Sequence, residues 1–492
     1  MRAPLWVRAG AAGAVAAALA ACAVGPDYRA PAVAPAVVAN AATPDFQSRD
    51  PEAAWWQEFS DAELDSLVQR ALQANLDLRI AVARVQEARA VFVENAYDFA
   101  PHVPLTAQYS KGEAQQPGFG TARFPVESDS VGFDASWELD LFGHVRRSVE
   151  GARAELGAQQ AGLRDAEVTV AAEVARNYFL LRGAQTRLDV AHRNLGSQQQ
   201  SEGLTQLRYE AGRGDQLDVE RARARLMATE ATIPPLEAAE KQAMYRLAVL
   251  LGERPGALDA ELVAVELRPY AKALPVGDTS ALLRRRPDVR AAERRLAAAS
   301  AQVGVATADL FPRVTVNGFV GFLSGNVGHL FSTSGGDDAR AWSVTPTISW
   351  AAFDLGSVRA RLHAREAQLD QASAAYTQVV LGALEDTENS FVGYAKQQAA
   401  LKSLSEQARA SAHAAELAEL QYRAGTTDFL TLLDAQRTQL EAEDAVVQAQ
   451  TAVNVGVVAI YKALGGVGQP EAPGSAQALA GRSGGDGRGI AP

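Results

Sequence analysis

The chain has 492 residues, 48% of them hydrophobic, and its 58 acidic and 47 basic side chains leave a net charge of -11. That length carries two or three ordinary domains, and the acidic balance argues against nucleic acid as a partner. The six histidines are scattered, with no pair at HExxH spacing, and no Gly-x-x-x-x-Gly-Lys-Ser/Thr loop occurs. No motif assembles a nucleophile and a base, so the chain reads as a non-enzyme without cofactor or metal site.

The first 22 residues, MRAPLWVRAGAAGAVAAALAAC, set Arg2 and Arg8 ahead of a short Ala-rich apolar run. This is the layout of a signal peptide over 1–21, too short and too weakly apolar for a membrane span. The run closes on Leu19-Ala20-Ala21-Cys22, which resembles the lipobox of bacterial lipoproteins. That resemblance implies cleavage before Cys22 and acyl chains, palmitate among them, on the cysteine. Position 23 is alanine, not the aspartate that in many bacteria retains lipoproteins at the inner membrane. Cys22 is the only cysteine, so no disulfide forms within one chain. The Pro- and Ala-rich stretch that follows is expected to be extended, and 22–59 is taken as a lipidated N-terminal segment.

Self-comparison exposes a repeat. NLDLRIAVARV from Asn75 matches PDVRAAERRL from Pro287 in spacing, with Asp77 and Arg79 corresponding to Asp288 and Arg290, and DFAP ending at Pro101 matches DLFP ending at Pro312. WELDLFGHVR from Trp137 matches WAAFDLGSVR from Trp350; RYEAG from Arg208 matches QYRAG from Gln421; LLGE from Leu250 matches ALGG from Ala463. The offset stays at 211 to 213 residues throughout. The chain is therefore a tandem duplication with halves at 60–252 and 279–465, a linker at 253–278 and a Gly/Pro/Ser-rich flexible tail at 466–492.

Each half opens with a helix of about 25 residues, 75–99 and 287–309, and Pro287 suits a first helical position. Two strand-like stretches follow, near 103–113 and 129–141 in the first half and near 313–323 and 341–353 in the second. In SVGFDASWELDL from Ser130, one face is Val131, Phe133, Ala135, Trp137, Leu139 and Leu141; the other is polar. WSVTPTISW from Trp342 alternates in the same way, with Trp342, Val344, Pro346, Ile348 and Trp350 together. Period two over about ten residues suits a membrane β-barrel, although a half-buried soluble sheet shows the same alternation. Tryptophans near strand ends favour the membrane reading. Pro346 lacks a ladder donor, which predicts a bulge or distortion there. Four strands cannot close a barrel, and open edges cannot sit in lipid, so a barrel requires several chains to pool their strands.

Long helical hairpins are expected next, over about 144–252 and 356–465, each broken once by a glycine turn. From His144 to Ala211 no proline occurs, and a continuous helix of that span would be roughly 100 Å long. Leu156, Leu163 and Val170 recur every seven residues, as do Val174, Leu181, Leu188 and Leu195, offset by four as in a coiled-coil seam. Gly157, Gly162, Gly183 and Gly196 leave open a set of shorter helices instead.

These motifs resemble the TolC/OprM-type outer-membrane efflux proteins, in their lipoprotein (NodT-like) branch. The resemblance is carried by CAVGPDY, WWQEFSDAELDSLV, NLDLRIAVARVQEARA, WELDLFG, RYEAGRGDQLDVERARA, LLRRRPDVRAAERRLAAA and QYRAGTTDFLTLLDAQR, across nearly the whole mature chain. It implies an α+β membrane protein: a homotrimer whose twelve strands form one outer-membrane barrel, continued by a long periplasmic α-helical barrel with a mixed equatorial domain. It further implies a passive efflux conduit, anchored in outer-membrane lipid and working with a periplasmic adaptor and an inner-membrane pump of the RND type. Metal or type I protein export, and a pore-free coiled-coil lipoprotein, are the competing readings; three methionines argue against a soft-metal ladder. One departure is AAFDLG before Gly356, where relatives usually carry a proline-containing PIFDxG.

The resemblance also assigns sites. Gly212 and Gly425 are expected to turn the hairpins at their periplasmic tips, since glycine adopts φ > 0 readily. Gly212, Gly425 and Thr426 then take the adaptor-docking role. Asp218, Tyr422, Leu430 and Asp434 match positions that relatives use at the tunnel constriction, and Thr431 stands where some carry a second aspartate. Asp434 is also placed for an ion pair with Arg437 at (i, i+3). Glu385, Asp386 and Glu388 read as solvated helix surface.

Overall fold

The computed structural model describes residues 23–31, 46–49, 54–115, 123–277 and 282–466. The expected signal peptide, Cys22 and the tail beyond Gly466 lie outside these described residues. In chain order, strand β1 (Phe46–Gln47) and a 3-10 turn (Trp55–Phe59) precede helices α1 (Ala62–Ala74) and α2 (Leu76–Tyr97). Strands β2 (Leu105–Gln115) and β3 (Arg123–Leu139) lead into α3 (His144–Glu210), α4 (Gln216–Glu230) and α5 (Ile233–Leu250). Strand β4 (Leu274–Pro275) follows. The plan then recurs: α6 (Leu282–Arg285), α7 (Pro287–Ala308), β5 (Arg313–Ser324), β6 (Arg340–Ser349), α8 (Leu355–Ala424) and α9 (Phe429–Ala463).

The chain divides into two units. One combines the residues up to Ala32 with Arg84–Gln160 and Ala291–Thr377; the other combines Val33–Ala83, Ala161–Arg290 and the residues from Gln378 onward.

The first unit holds one antiparallel sheet in the order β2-β3-β5-β6. Its registers align Leu105, Phe133, Val320 and Trp342 in one row. The same face carries Trp137, Val344 and Ile348, and Trp342, Val344 and Ile348 are 65–77% exposed. From Trp342 to Trp350 the strand and the residue beyond it span about 26 Å at ~3.3 Å per residue, the height of a barrel's apolar band. On the opposite face Gly132 and Gly321 leave room for the Phe319 ring, where a Cβ on Gly132 would come within 2.7 Å of it. The repeat recurs as geometry: Trp137 Nε1 donates to Phe99 O at 3.1 Å, and Trp350 Nε1 to Leu310 O at 3.0 Å.

Two expectations for the strands need correction. The register from Arg313↔Ser349 to Phe322↔Arg340 runs unbroken through Val316↔Pro346, so Pro346 causes no bulge. It lies on an edge strand, where a nitrogen that cannot donate is tolerated on the side facing away from the neighbour. Strand β6 ends at Ser349, short of 353, because Asp354 N–H bonds to Ala351 O at 2.9 Å and turns the chain into α8. This turn is how AAFDLG makes the corner without the family's proline. At the other end β3 begins at Arg123, ahead of the alternating stretch, with the added rungs polar: Lys111 pairs with Glu127 at 3.2 Å.

In the second unit the helices pack by their expected seam. Val170, Val174, Leu181 and Leu188 are buried, while Leu163 and Leu195 are partly so. Helix α3 runs through all four of its questioned glycines, so the reading as shorter helices falls. Gly183 has a packing reason: a Cβ there would strike the Thr451 side chain of α9. The first hairpin is broken twice, not once. Its return arm stops at Ala231 and restarts at Ile233, because Pro234 and Pro235 fit only a first helical turn. Trp55 stacks on Tyr461 at 5.1 Å, and Phe59 packs on Phe179 at 4.5 Å, closing the core around Leu64, Leu67 and Leu247. No described helix is long and apolar enough to cross a membrane.

Candidate functional site

The two glycine turns are built alike. After α3, Gly212 has φ +69, its N–H bonds to Tyr209 O at 2.9 Å, and Arg213 N–H returns to Arg208 O at 2.8 Å. After α8, Gly425 has φ +75, its N–H bonds to Tyr422 O at 3.0 Å, and Thr426 N–H returns to Gln421 O at 2.9 Å. This is the double bond pattern that ends a helix on a left-handed residue. Nothing lies within 4 Å of a Cβ added at either glycine, so their backbone angle demands glycine and crowding does not. The Thr426 hydroxyl adds a bond to Gln421 O at 3.1 Å.

Aspartates start both return helices. Asp215 accepts from Leu217 N–H at 3.2 Å; Asp428 accepts from Thr431 N–H at 2.8 Å and from its hydroxyl at 2.7 Å. The Thr431 donors hold the Asp428 carboxyl below its ordinary range. Thr431 is therefore the partner of a cap, which is what that position does in place of an acid.

The four constriction candidates do not share one environment. Leu430 is 54% exposed, and Asp434 is exposed and paired with Arg437 at 2.8 Å, the (i, i+3) bond expected from spacing. Asp218 is half-buried beside Arg221 at 3.5 Å. Tyr422 is different: it is 4% exposed, in a core cluster with Ala222, Ala418, Phe429 and Leu432. Arg208 lies over its ring at 4.4 Å and donates to its carbonyl at 2.8 Å. Tyr209, its counterpart in the first half, is 41% exposed.

Below the tips, polar rungs join α3 to α9. Gln198 and Ser201 meet at Gln436, which is buried, and Arg187 forks onto Asp444 at 2.6 and 3.1 Å. The repeat also shows at the roots of the return helices. Asn75 Nδ2 donates to Leu250 O at 2.8 Å, and at the matching place Arg286 Nη1 donates to Ala463 O at 3.0 Å. Buried Arg286 also forks onto Asp288 and reaches Asp386 at 3.3 Å, beside a cavity of about 440 Å³. Asp386 is 65% exposed, in keeping with its reading as solvated helix surface, and it pairs with Arg286 from there. Arg208 and Arg286 escaped the reading by motif. The available signal was a mismatch in each echo: Arg208 against Gln421, and Arg286 against Asn75.

The outer membrane efflux protein family model matches residues 67–253 and 279–466, and the chain belongs to that family. The antibiotic efflux pump outer membrane protein ArpC of Pseudomonas putida is 31% identical over 90% of this chain and 92% of its own length. OprJ of Pseudomonas aeruginosa is 31% identical over 91% and 93%. Among solved structures, the outer-membrane channel OprN has a TM-score of 0.87 at 49% identity, covering 90% of this chain and 99% of its own. The open state of the Neisseria gonorrhoeae MtrE channel has 0.77 at 30%, covering 90% and 98%.

The protein is the outer-membrane channel component of a tripartite efflux system, not an enzyme. Three chains contribute four strands each to one barrel, which continues into a helical barrel. Channels of this family work with adaptors and inner-membrane pumps.

Proposed function

We propose that the channel is a passive conduit for small organic molecules, gated at the hairpin tips. The observation that carries the gate is the contrast within QYRAGTTDFLTLLDAQR. Tyr422, Phe429 and Leu432 are buried as packing, while Leu430 and Asp434 are left exposed on the same short stretch. In a trimer, three copies of Leu430 and Asp434 around a narrow opening supply an apolar collar and a ring of like charge, which attracts cations. Asp218 extends the ring, and Tyr422 holds the tip together from behind it.

Gly212, Gly425 and Thr426, exposed at the turns, are the proposed adaptor contacts, and an RND-type pump supplies the energy. Cys22 is the proposed lipid anchor. Relatives named for antibiotics, toluene, pyoverdine and cations stand at 30–32% identity, which supports a cargo chosen by the pump. Single-channel conductance of purified trimers in planar bilayers tests the gate. Asp434→Ala and Leu430→Ala are expected to raise it; unchanged conductance in both would overturn the assignment.

A further inference from the structure

The stretch Ala23-Val24-Gly25-Pro26-Asp27-Tyr28-Arg29 takes no part in the tips or the sheet, yet the first unit provides a fitted place for it. Val24 N–H bonds to Phe142 O at 3.1 Å, in the corner between β3 and α3. The Arg147 side chain, only 5% exposed, lies beneath. It donates from Nε to Val24 O at 3.3 Å, and from Nη2 to Gly25 O at 3.5 Å and Asp27 Oδ1 at 2.7 Å. Its Nη1 donates to Glu150 at 2.8 Å. On the other side Tyr28 Oη donates to Glu293 Oε1 of α7 at 2.5 Å. Burial, with the Glu293 carboxylate, pushes the Tyr28 hydroxyl well up, so it stays a donor.

Glycines make the fit possible. Gly25 has φ +90, and a Cβ there would stand 2.6 Å from Gly304 Cα. A Cβ on Gly304 would in turn stand 2.8 Å from Arg147 Cδ. Ala23 packs on Gly143, φ +88, where a Cβ would come within 2.9 Å of Ala23 Cα. Stripped of this segment, Arg147 would keep Glu150 and exchange three protein acceptors for water.

We propose that residues 23–29 are a clasp. They fasten the N-terminal segment to the β3–α3 corner of the first half and to α7 of the second, and they fix where the anchor at residue 22 leaves the protein. The exit is Ala23 against Gly143, just past the end of β3. That is the end of the strand bearing Trp137, so the acyl chains enter the membrane beside the barrel wall and do not swing on a loose tether. The anchoring clause rests on the lipid reading of Cys22; the clasp does not.

Trypsin cleavage after Arg29 in full-length trimers tests the clasp, since cleavage follows local opening. It is run on the exported protein and on a form whose signal peptide leaves Ala23 as an unacylated N-terminus. Both are expected to resist cleavage, with Gly25→Val cut about 10-fold faster or more and Arg147→Lys between the two. Equal rates in wild type and Gly25→Val overturn the clasp, as does protection that vanishes with the acyl chains. If Gly25→Val forms no trimer, Arg147→Lys decides alone. The mass of the N-terminal peptide reports acylation separately, so an unacylated Cys22 refutes the anchor and leaves the clasp standing.

Discussion

The guanidinium of Arg208 and the main-chain carbonyl of Tyr422 meet at 2.8 Å, joining the tip of the first hairpin to that of the second. The same carbonyl accepts from Gly425 N–H, so one oxygen serves both the turn and the cross-tie. With its cation over the ring, Arg208 sets one tip against the other. Arg208→Ala removes a charge-assisted bond worth about 1–2 kcal/mol at this half-exposed site. Trimers are expected to show faster proteolysis at the tips and a higher basal conductance, with no change in the barrel's heat stability. Wild-type proteolysis would show the tie to be idle.

The Asp428 cap predicts a pH effect. Its carboxyl is depressed by the Thr431 hydroxyl and N–H, so the charged form is favoured in the folded tip. The stability it adds is fully present above the ordinary aspartate range and is lost as pH falls through the depressed value. Protease susceptibility of the second tip should therefore rise on acidification below the ordinary aspartate range. Asp428→Asn still caps but does not titrate. It should flatten the Asp428 contribution to this pH dependence; an unaltered profile would assign the effect elsewhere.

Gly425→Ala meets open space and suffers only its backbone angle, φ +75. The strain is about 1–2 kcal/mol, and Gly425→Asn should recover part of it. Hydrogen exchange of the Thr426 and Gly425 amides reads this directly. Equal protection in alanine and glycine forms would show that the turn relaxes without cost.

Arg286→Met removes the guanidinium donors from Asp288, Asp386 and the carbonyls of Ala383 and Ala463, although Asp288 keeps Val289 N–H and Ala383 O keeps the Thr387 hydroxyl. Removing one member of a buried ionic node costs about 3–5 kcal/mol, and the exposed Asp386 places this case at the lower end. The thermal midpoint of purified trimers should fall by several degrees. No fall would show that the node contributes little to the fold.

The two kinds of period were legible in different degrees. Alternation at Val131, Phe133 and Trp137 marked the lipid-facing side, and the echo of RYEAG in QYRAG marked both turns. Pattern alone could not tell Tyr422 from Leu430: both lie near the glycine, and only packing sends one inward. Nor could it place Arg147, Arg208 or Arg286. Each is buried or half-buried because distant carbonyls and carboxylates converge on it, and helix periodicity records no such convergence. Pro346 misled for a related reason, since a proline's effect on a ladder depends on whether its strand is an edge.

The outer strands of the sheet, β2 and β6, each present a row of backbone groups that no other described strand of the same chain takes up. Water satisfies such a row; hydrocarbon does not. A solitary chain therefore has no stable place for this sheet within the bilayer, and insertion must accompany or follow the meeting of three. Mass action then governs the supply of finished channels. While free chains are scarce, their number rises with the cube of the free-chain concentration, so a modest cut in synthesis removes a disproportionate share of export capacity.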